Sequence, residues 1–262
     1  MMGRLLAAER RKLRSMLQTW IIAGSGIALT VFFLVLFLII VTVSDDTEAS
    51  GIPPIETDEG IRNIVSQGTT VLAFVLVLGT LLITSEYRHQ TITGTFLVEP
   101  LRGRVLAAKF IVGGLVGLVV TTLTVILVLA VALVWLAAID VTIDNMTDLV
   151  ILPAIGTVIA GVGYALLGVA VGALIRNQIA ALVGSLVWIT LIDPILSAVL
   201  PDVGKYTPAG AAAALTNAVG FNTSGIDPDA YLPMWAGGAL LFAYAVVFVV
   251  AASRLTITRD VT

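Results

Sequence analysis

Few residues of this chain are of the types that carry out catalysis. The sequence has one histidine, His89, and no cysteine, so it supplies neither a pair of zinc-binding histidines nor a thiol nucleophile. The pair Gly204 and Lys205 is followed by Tyr206 and lacks the glycine spacing of a phosphate-binding loop. We therefore expect no catalytic residue and no metal site, and we expect that the chain does not hydrolyse ATP by itself.

One ionisable residue lies inside an apolar run: Asp193, which is followed by Pro194. Charged groups within membrane spans often take part in ion coupling, so Asp193 is a candidate for a polar gate near the exit of a transport pathway. The structural alternative is that Asp193 reaches the outer membrane interface or caps the half-helix that Pro194 interrupts. We favour the structural interpretation.

The elements that must position these residues are membrane-spanning helices. The chain is 58% hydrophobic and 12% charged, with a mean hydropathy of +1.06. A helix needs roughly 20 mostly apolar residues to cross the hydrocarbon core of a bilayer. Six segments meet this criterion: 20–43, 64–84, 110–138, 151–175, 179–200 and 232–253. Their continuous apolarity predicts an all-α membrane protein with a single transmembrane domain over residues 1–262.

The distribution of charge predicts the orientation. With the N-terminus inside, every Lys and Arg except Arg62 and Lys205 falls on the cytoplasmic side, where positive flanks are retained. Most of the acidic residues fall on the other side. The polar stretch 176–178 separates spans four and five as a tight inside turn, because it is costly to leave in lipid. We therefore predict six spans with both termini in the cytoplasm.

The segments outside the spans also carry patterns. Apolar residues recur at helical spacing through the N-terminal arm, opposite a basic face, which predicts an interfacial helix over 1–19. A positive flank that fixes the topology is the alternative, and the two interpretations are compatible. The basic loop, residues 86–109, begins directly after span two and contains Pro100, which predicts a short surface helix followed by a turn. Thr207 and Pro208 precede an alanine-rich run in the outer loop 201–231, which predicts a capped helix that an ordinary surface position would explain.

Three of these segments resemble the permeases of ABC exporters of the ABC-2 type. They are EYRHQTITGTFLVEPLRGRVLAAK in the basic loop, AAERRKLRS in the N-terminal arm and LIRNQIAALVGSLVW at the turn into span five. The resemblance implies a transmembrane subunit of the bacterial cytoplasmic membrane that dimerises, as a homodimer or with a related permease. It also implies a separate ATPase subunit in two copies, which would hold the ATP and Mg, so that no cofactor is bound by this chain and no nucleic acid is a partner.

The resemblance also implies roles for residues. The arm would be an elbow helix on membrane lipids, and about 87–101 would be a coupling helix that docks on the ATPase. Short re-entrant helices on the outer side would precede span six, although an ordinary surface helix explains the alanine-rich run equally well. Glu86 and Arg88 would fix the base of span two and the loop. Arg102, Arg104 and Lys109 would face the ATPase or the lipid headgroups, although positive-inside topology with lipid contact also explains these basic residues. The ATPase-coupling candidates are Glu86, Tyr87, Arg88, Thr91, Phe96, Arg102 and Arg104.

The family places its pathway between two copies, near spans one, two and five. The resemblance therefore makes Phe32, Phe33 and Trp188 candidates for the pathway, beside Asp193 as the gate candidate given above, although aromatic residues on apolar helices usually face neighbouring helices or lipid. The near-absence of charge within the spans favours a lipophilic or amphipathic cargo, such as a drug, antibiotic, lipid or peptide. An ion-coupled secondary transporter and a membrane scaffold without an ATPase remain the alternatives.

Overall fold

The computed structural model describes residues 2–43, 53–91, 101–175, 177–216 and 232–258. All regular elements in these ranges are helical, and six helices are long and apolar enough to cross a membrane. The chain is therefore a multi-pass membrane protein by the length and composition of its helices, as the hydropathy pattern predicts.

The described residues form eleven α-helices. In order they are α1 Met2–Ser15, α2 Leu17–Val43, α3 Asp58–Ser66, α4 Leu72–Arg88, α5 Arg102–Ala138, α6 Leu152–Ile175, α7 Gln178–Val187, α8 Asp193–Val199, α9 Pro201–Gly204, α10 Pro208–Thr216 and α11 Met234–Thr258. A 3-10 turn, Gln67–Val71, joins α3 to α4, and π turns precede α6 and α8 at Thr147–Ile151 and Trp188–Ile192. The six spans are α2, α3 with α4, α5, the first π turn with α6, α7 with the second π turn and α8, and α11.

Several predicted boundaries are corrected. Span two begins at Asp58, inside the segment expected to be an outer loop, because Thr57 caps α3 by accepting a hydrogen bond from the N–H of Gly60. Helix α5 begins at Arg102, and its 37 residues extend over about 55 Å, which exceeds the thickness of a bilayer core. The first helix ends at Ser15 and a new one begins at Leu17, so the arm is not one helix through residue 19.

Spans two and four form the centre of the bundle. In their most apolar windows 67% and 61% of residues are buried, against 22% in span five and 17% in span six. Spans two and four meet through glycines: a Cβ on Gly168 would collide with the carbonyl oxygen of Leu76, and one on Gly79 with that of Ala165. These two glycines therefore let the backbones of spans two and four approach closely, which is what small residues permit in lipid.

The two ends of the bundle carry different accessory helices. At one end, α1 packs Leu6 and Leu13 against apolar residues of spans two, three, four and six. At the other end, helix α10 lies among spans two, four, five and six, with every residue from Ala209 to Thr216 buried. Of the two interpretations of the helix after Thr207, the ordinary surface helix is wrong, because the alanine-rich sequence lets neighbouring helices approach α10 from all sides.

Candidate functional site

Four charged side chains meet at the α1 end of the bundle. Glu9 and Lys12 belong to α1, Glu86 to the last turns of α4, and Lys109 to the third turn of α5. We call these four residues the ionic cluster. Three of them are almost fully buried: Glu9 is 3% exposed, Glu86 6% and Lys109 2%.

Lys109 lies at the centre of the ionic cluster. Its Nζ is 2.8 Å from Oε1 of Glu86 and 3.1 Å from Oε2 of Glu9, and it donates a third hydrogen bond of 3.1 Å to the carbonyl oxygen of Leu82. An ammonium has three N–H donors, so each donor of Lys109 has an acceptor. This complete pairing allows a lysine to remain charged in a buried position.

Lys12 connects the same two carboxylates from the side of α1. Its Nζ lies 2.8 Å from Oε1 of Glu86 and 3.3 Å from Oε1 of Glu9. Partial burial by itself lowers the pKa of Lys12, but the hydrogen bond to Glu86 and the negative charges of both carboxylates outweigh it, and the pKa is raised above its ordinary value. Lys12 is therefore charged at neutral pH, and the four charges of the cluster balance.

The ionic cluster closes the base of the basic loop. The loop begins at Glu86 and ends at Lys109, and these two residues form an ion pair at 2.8 Å. Helices α4 and α5 therefore stand side by side where the chain leaves and re-enters the bundle, and α1 is tied to both. A force applied to the loop would reach spans two and three together.

The coupling candidates occupy different environments. Glu86 is buried in the ionic cluster, Tyr87 is half-buried, and Arg88, Thr91 and Arg104 are exposed. Phe96 and most of the predicted coupling helix lie outside the described residues. Arg102 is the first residue of α5, and its side chain also lies outside the description. The expectation that Lys109 faces an ATPase or lipid headgroups is wrong, because burial and three hydrogen bonds hold it inside the bundle.

The predicted turn between spans four and five is present. Asn177 caps α7, its side-chain oxygen accepting a hydrogen bond of 3.1 Å from the N–H of Ala180. Arg88, at the end of α4, makes a long contact of 3.5 Å from Nη1 to Oε1 of Gln178. The turn therefore lies next to the base of the basic loop.

A cleft of about 440 Å³, which we call the central cleft, opens between span one, the start of span two and α10, with one lining residue each from spans four and five. Span one contributes apolar side chains such as Phe33 and Phe37, the start of span two contributes Gln67 and Thr70, and the buried helix α10 forms another wall. Its volume lies within the range of about 300–1,000 Å³ typical of small-molecule sites. An apolar surface with a few amide and hydroxyl groups suits an amphipathic molecule.

Asp193 holds one wall of the central cleft in place without lining it. The side chain is fully buried, and its Oδ2 accepts a hydrogen bond of 3.1 Å from the N–H of Ala209, in the first turn of α10. Thr207 accepts a second bond from the N–H of Gly210, while Pro208 has no N–H to satisfy. Asp193 therefore caps a helix, but that helix is α10 and not the half-helix after Pro194, and Asp193 does not reach the interface.

A comparison with protein-family models finds no match, and a comparison with curated proteins finds none either. Within the described residues, no three His, Asp or Glu side chains come close enough together to hold a metal ion. The candidate site is therefore defined by the ionic cluster and the central cleft.

The aromatic pathway candidates lie on the surface of the chain. Phe32 is 59% exposed, Phe33 43% and Trp188 42%. Phe33 lines the central cleft, and Phe32 packs edge-to-face against it with ring centroids 5.7 Å apart. Trp188 begins the π turn of span five and does not line the cleft, whereas Ile189 does.

Substitutions at Asp193 distinguish its capping role from an ion-coupling role. We expect Asp193→Ala to lower the free energy of unfolding by about 1–3 kcal/mol, because the buried N–H of Ala209 loses its acceptor. We expect Asp193→Asn to retain most of the stability and any transport activity, because its side-chain oxygen still accepts the bond. Thermal unfolding of the purified variants in detergent measures the first effect.

Asp202→Ala is the matched control for this prediction. Asp202 pairs with Lys205 at 3.2 Å, but its side chain is 99% exposed, so we expect no measurable loss of stability. A fully folded Asp193→Asn protein that has lost all transport would contradict the capping role and support ion coupling.

Proposed function

We propose that this chain is the membrane-spanning subunit of an ATP-driven exporter of the ABC-2 type, powered by a separate ATPase. The observation that carries the proposal is the ionic cluster, which joins α1, span two and span three at the base of the basic loop. A loop braced in this way can pass the movement of an attached protein into the bundle. The resemblance of the loop and arm to ABC-2 permeases supplies the identity of the attached protein.

In the proposed mechanism, the ATPase grips the basic loop on the cytoplasmic side. ATP binding closes two ATPase subunits, and each loop carries spans two and three with it because Glu86 and Lys109 hold their ends together. Span two is packed backbone to backbone on span four, so the motion passes on to the centre of the bundle. The central cleft then alternates between two accessible states.

The lining of the central cleft supports an amphipathic cargo. Leu36 and Ile40 give it apolar contact area, and Thr69, Tyr164 and Thr216 add groups that can form hydrogen bonds. No charged side chain of the described residues lines the cleft, which makes an inorganic ion a poor cargo. A drug, antibiotic, lipid or lipophilic peptide fits this chemistry, and a second copy of the chain or a related permease would complete the pathway.

The alternative function, an ion-coupled secondary transporter, has less support than the ATP-driven exporter. It requires an ionisable group that the cargo or ion can reach, and Asp193 is the ionisable residue predicted for that role. Asp193 is fully buried behind Ala209 and bonded to the end of α10. Its position therefore favours a structural task.

Co-purification with an ATPase tests the proposed function. We expect a protein with a phosphate-binding loop, encoded in the neighbouring reading frame, to purify with this chain and to support ATP-dependent transport in vesicles. We expect Arg104→Glu to reduce the retained ATPase by about tenfold or more, which corresponds to about 1.4 kcal/mol of binding free energy. Arg104 is suitable because its side chain is exposed at the start of α5.

Lys205→Glu provides the control, since it reverses a charge at the α10 end of the bundle and should leave ATPase retention unchanged. The proposal fails if the purified chain transports cargo or hydrolyses ATP without a partner. It also fails if reversal at Arg104 and at Lys205 has the same effect on retention.

A further inference from the structure

The central cleft contains two hydrogen-bonding side chains of span two that have no partner within the described residues. The amide of Gln67 and the hydroxyl of Thr70 line the cleft, and both residues are half-buried. The neighbouring Thr69 differs, because its hydroxyl donates to the carbonyl oxygen of Ser66 at 2.7 Å. Gln67 and Thr70 lie within a membrane span, where bulk water does not replace a missing partner. They therefore suit a bound molecule that both donates and accepts hydrogen bonds.

The local backbone aligns these two side chains. Gln67 and Thr70 belong to the 3-10 turn Gln67–Val71, and side chains three residues apart are eclipsed in a 3-10 helix. With a rise of about 2.0 Å per residue, their Cα atoms are about 6 Å apart along the axis. A regular α-helix would rotate the same two side chains apart by about 60°. The cleft therefore presents an amide and a hydroxyl in one line, with a spacing of about 6 Å.

Span one supplies the apolar contact surface of the cleft. Its lining residues Phe33, Leu36, Phe37 and Ile40 have the spacing of one helix face. This surface is accessible, because Phe33 is 43% exposed, Leu36 40% and Ile40 45%. A ligand of the central cleft therefore combines apolar groups with hydrogen-bonding groups that recur along its length.

An extended peptide has this combination. Every second residue of an extended chain directs its N–H and C=O to the same edge, at intervals of about 6.6 Å, which is close to the spacing of Gln67 and Thr70. A glutamine amide has both an NH2 donor and a carbonyl acceptor, so Gln67 can pair with the C=O and the N–H of one peptide residue. A membrane lipid, in contrast, carries its polar groups at one end.

We propose that the central cleft binds an apolar peptide in an extended conformation. The side chain of Gln67 pairs with one peptide residue, and the hydroxyl of Thr70 pairs with the next residue on the same edge. The apolar side chains of the peptide pack against Phe33 and Leu36. The recognition resembles the addition of a strand to a sheet edge, in which main-chain hydrogen bonds give affinity and apolar contacts select the side chains.

The biological role of this site rests on the proposed function, because it is the cleft to which the exporter mechanism assigns the cargo. Peptide binding is nevertheless measured on the purified chain without an ATPase or ATP. A failure of ATPase co-purification would therefore leave the peptide result standing. A failure of peptide binding would leave an exporter with another cargo.

Titration with matched ligands tests the proposal. The purified chain in detergent is titrated with a radiolabelled hexaleucine whose ends are blocked by acetyl and amide groups. The comparison ligand has the same side chains and ends, but an ester oxygen replaces each internal peptide N–H, so that this edge has no donor. We expect the dissociation constant of the peptide to be about tenfold lower than that of the ester analogue.

Gln67→Met locates the site, because it keeps the length of the side chain and removes the amide. We expect this variant to bind the peptide about tenfold more weakly and the ester analogue equally well, so that the preference disappears. We expect Thr70→Val to reduce the preference in part. Gln18→Met is the control: it makes the same change at the start of span one, about 22 Å along the helix from Phe33, and should keep the preference. Size-exclusion chromatography checks that each variant is folded and reports its oligomeric state.

Equal affinity of the unmodified chain for the peptide and the ester analogue would overturn the proposal. A preference that persists in Gln67→Met would also overturn it, because the peptide would then bind elsewhere. The absence of peptide binding, with a change of oligomeric state in Gln67→Met, would show that a second copy of the chain covers these groups instead. Loss of the preference in Gln67→Met and its persistence in Gln18→Met support the site.

Discussion

Replacing Lys109 by Met is expected to lower the free energy of unfolding by about 3–5 kcal/mol. Methionine preserves most of the side-chain volume, so the cost comes from charge and hydrogen bonding and not from a cavity. Without Lys109, two buried carboxylates, Glu9 and Glu86, face Lys12 as their remaining partner in the ionic cluster, and the carbonyl oxygen of Leu82 also loses a donor. The denaturation midpoint of the purified chain in detergent measures the loss.

Lys205→Met is the matched control for this prediction. Lys205 forms an ion pair with Asp202 at 3.2 Å, but the Asp202 side chain is 99% exposed, so water replaces the lost contact. We expect a change of about 0–1 kcal/mol in the free energy of unfolding. The contrast isolates the effect of burial, since the same two residue types are exchanged.

A double variant tests whether charge balance is the cause. Adding Glu9→Gln to Lys109→Met leaves Glu86 paired with Lys12 at 2.8 Å, and the cluster is neutral again. We expect the double variant to recover part of the stability that the single variant loses. Equal stability of Lys109→Met and the unmodified chain would contradict the structural role assigned to the ionic cluster.

The spans could be predicted from the sequence because hydropathy is a local property. A run of roughly 20 apolar residues forms a helix in lipid whichever neighbours it later meets, since its backbone must satisfy its own hydrogen bonds. The break at Asn177 and the capped start of α10 at Thr207 were predictable for the same reason, because a capping side chain bonds to N–H groups two or three residues away.

The ionic cluster could not be predicted in the same way. Lys109 and Glu9 lie 100 positions apart, and a lysine at the end of an apolar run is the usual sign of a cytoplasmic flank. One signal was present in the sequence: Glu9 is the one acidic residue of the basic N-terminal arm, and Glu86 is one of two acidic residues in the basic loop. A carboxylate in such a place is more informative than another arginine, because topology does not require it.

Span five contains an irregular turn directly before Asp193, and the hydropathy of the sequence does not reveal it. The π turn Trp188–Ile192 precedes Asp193, and it shifts the register of span five just before Pro194, whose ring would clash in a regular helix. In this register Asp193 is buried against α10. The hydropathy of span five does not show which helix packs against Asp193, which is why the capping role was predicted for the wrong helix.

Substituting Gly168 by Ala is expected to separate the two central spans. The added Cβ would collide with the carbonyl oxygen of Leu76 and would lie 2.9 Å from the backbone nitrogen of Thr80. These are backbone atoms of a helix, so no side-chain rotation can relieve the contact and one span must move. Overpacking of this kind costs about 1–3 kcal/mol, and we expect a loss of that size in the free energy of unfolding.

Gly184→Ala is the matched control, and we expect it to change the stability in the opposite direction. Gly184 lies in α7 with no atom within 4 Å of an added Cβ, so alanine there meets open space and favours the helix by roughly 0.5–1 kcal/mol. The two variants make the same chemical change within apolar spans, but we expect opposite signs in their denaturation midpoints. If Gly168→Ala were stabilising as well, spans two and four would not be in backbone contact, and the path by which the basic loop is proposed to move the centre of the bundle would be lost.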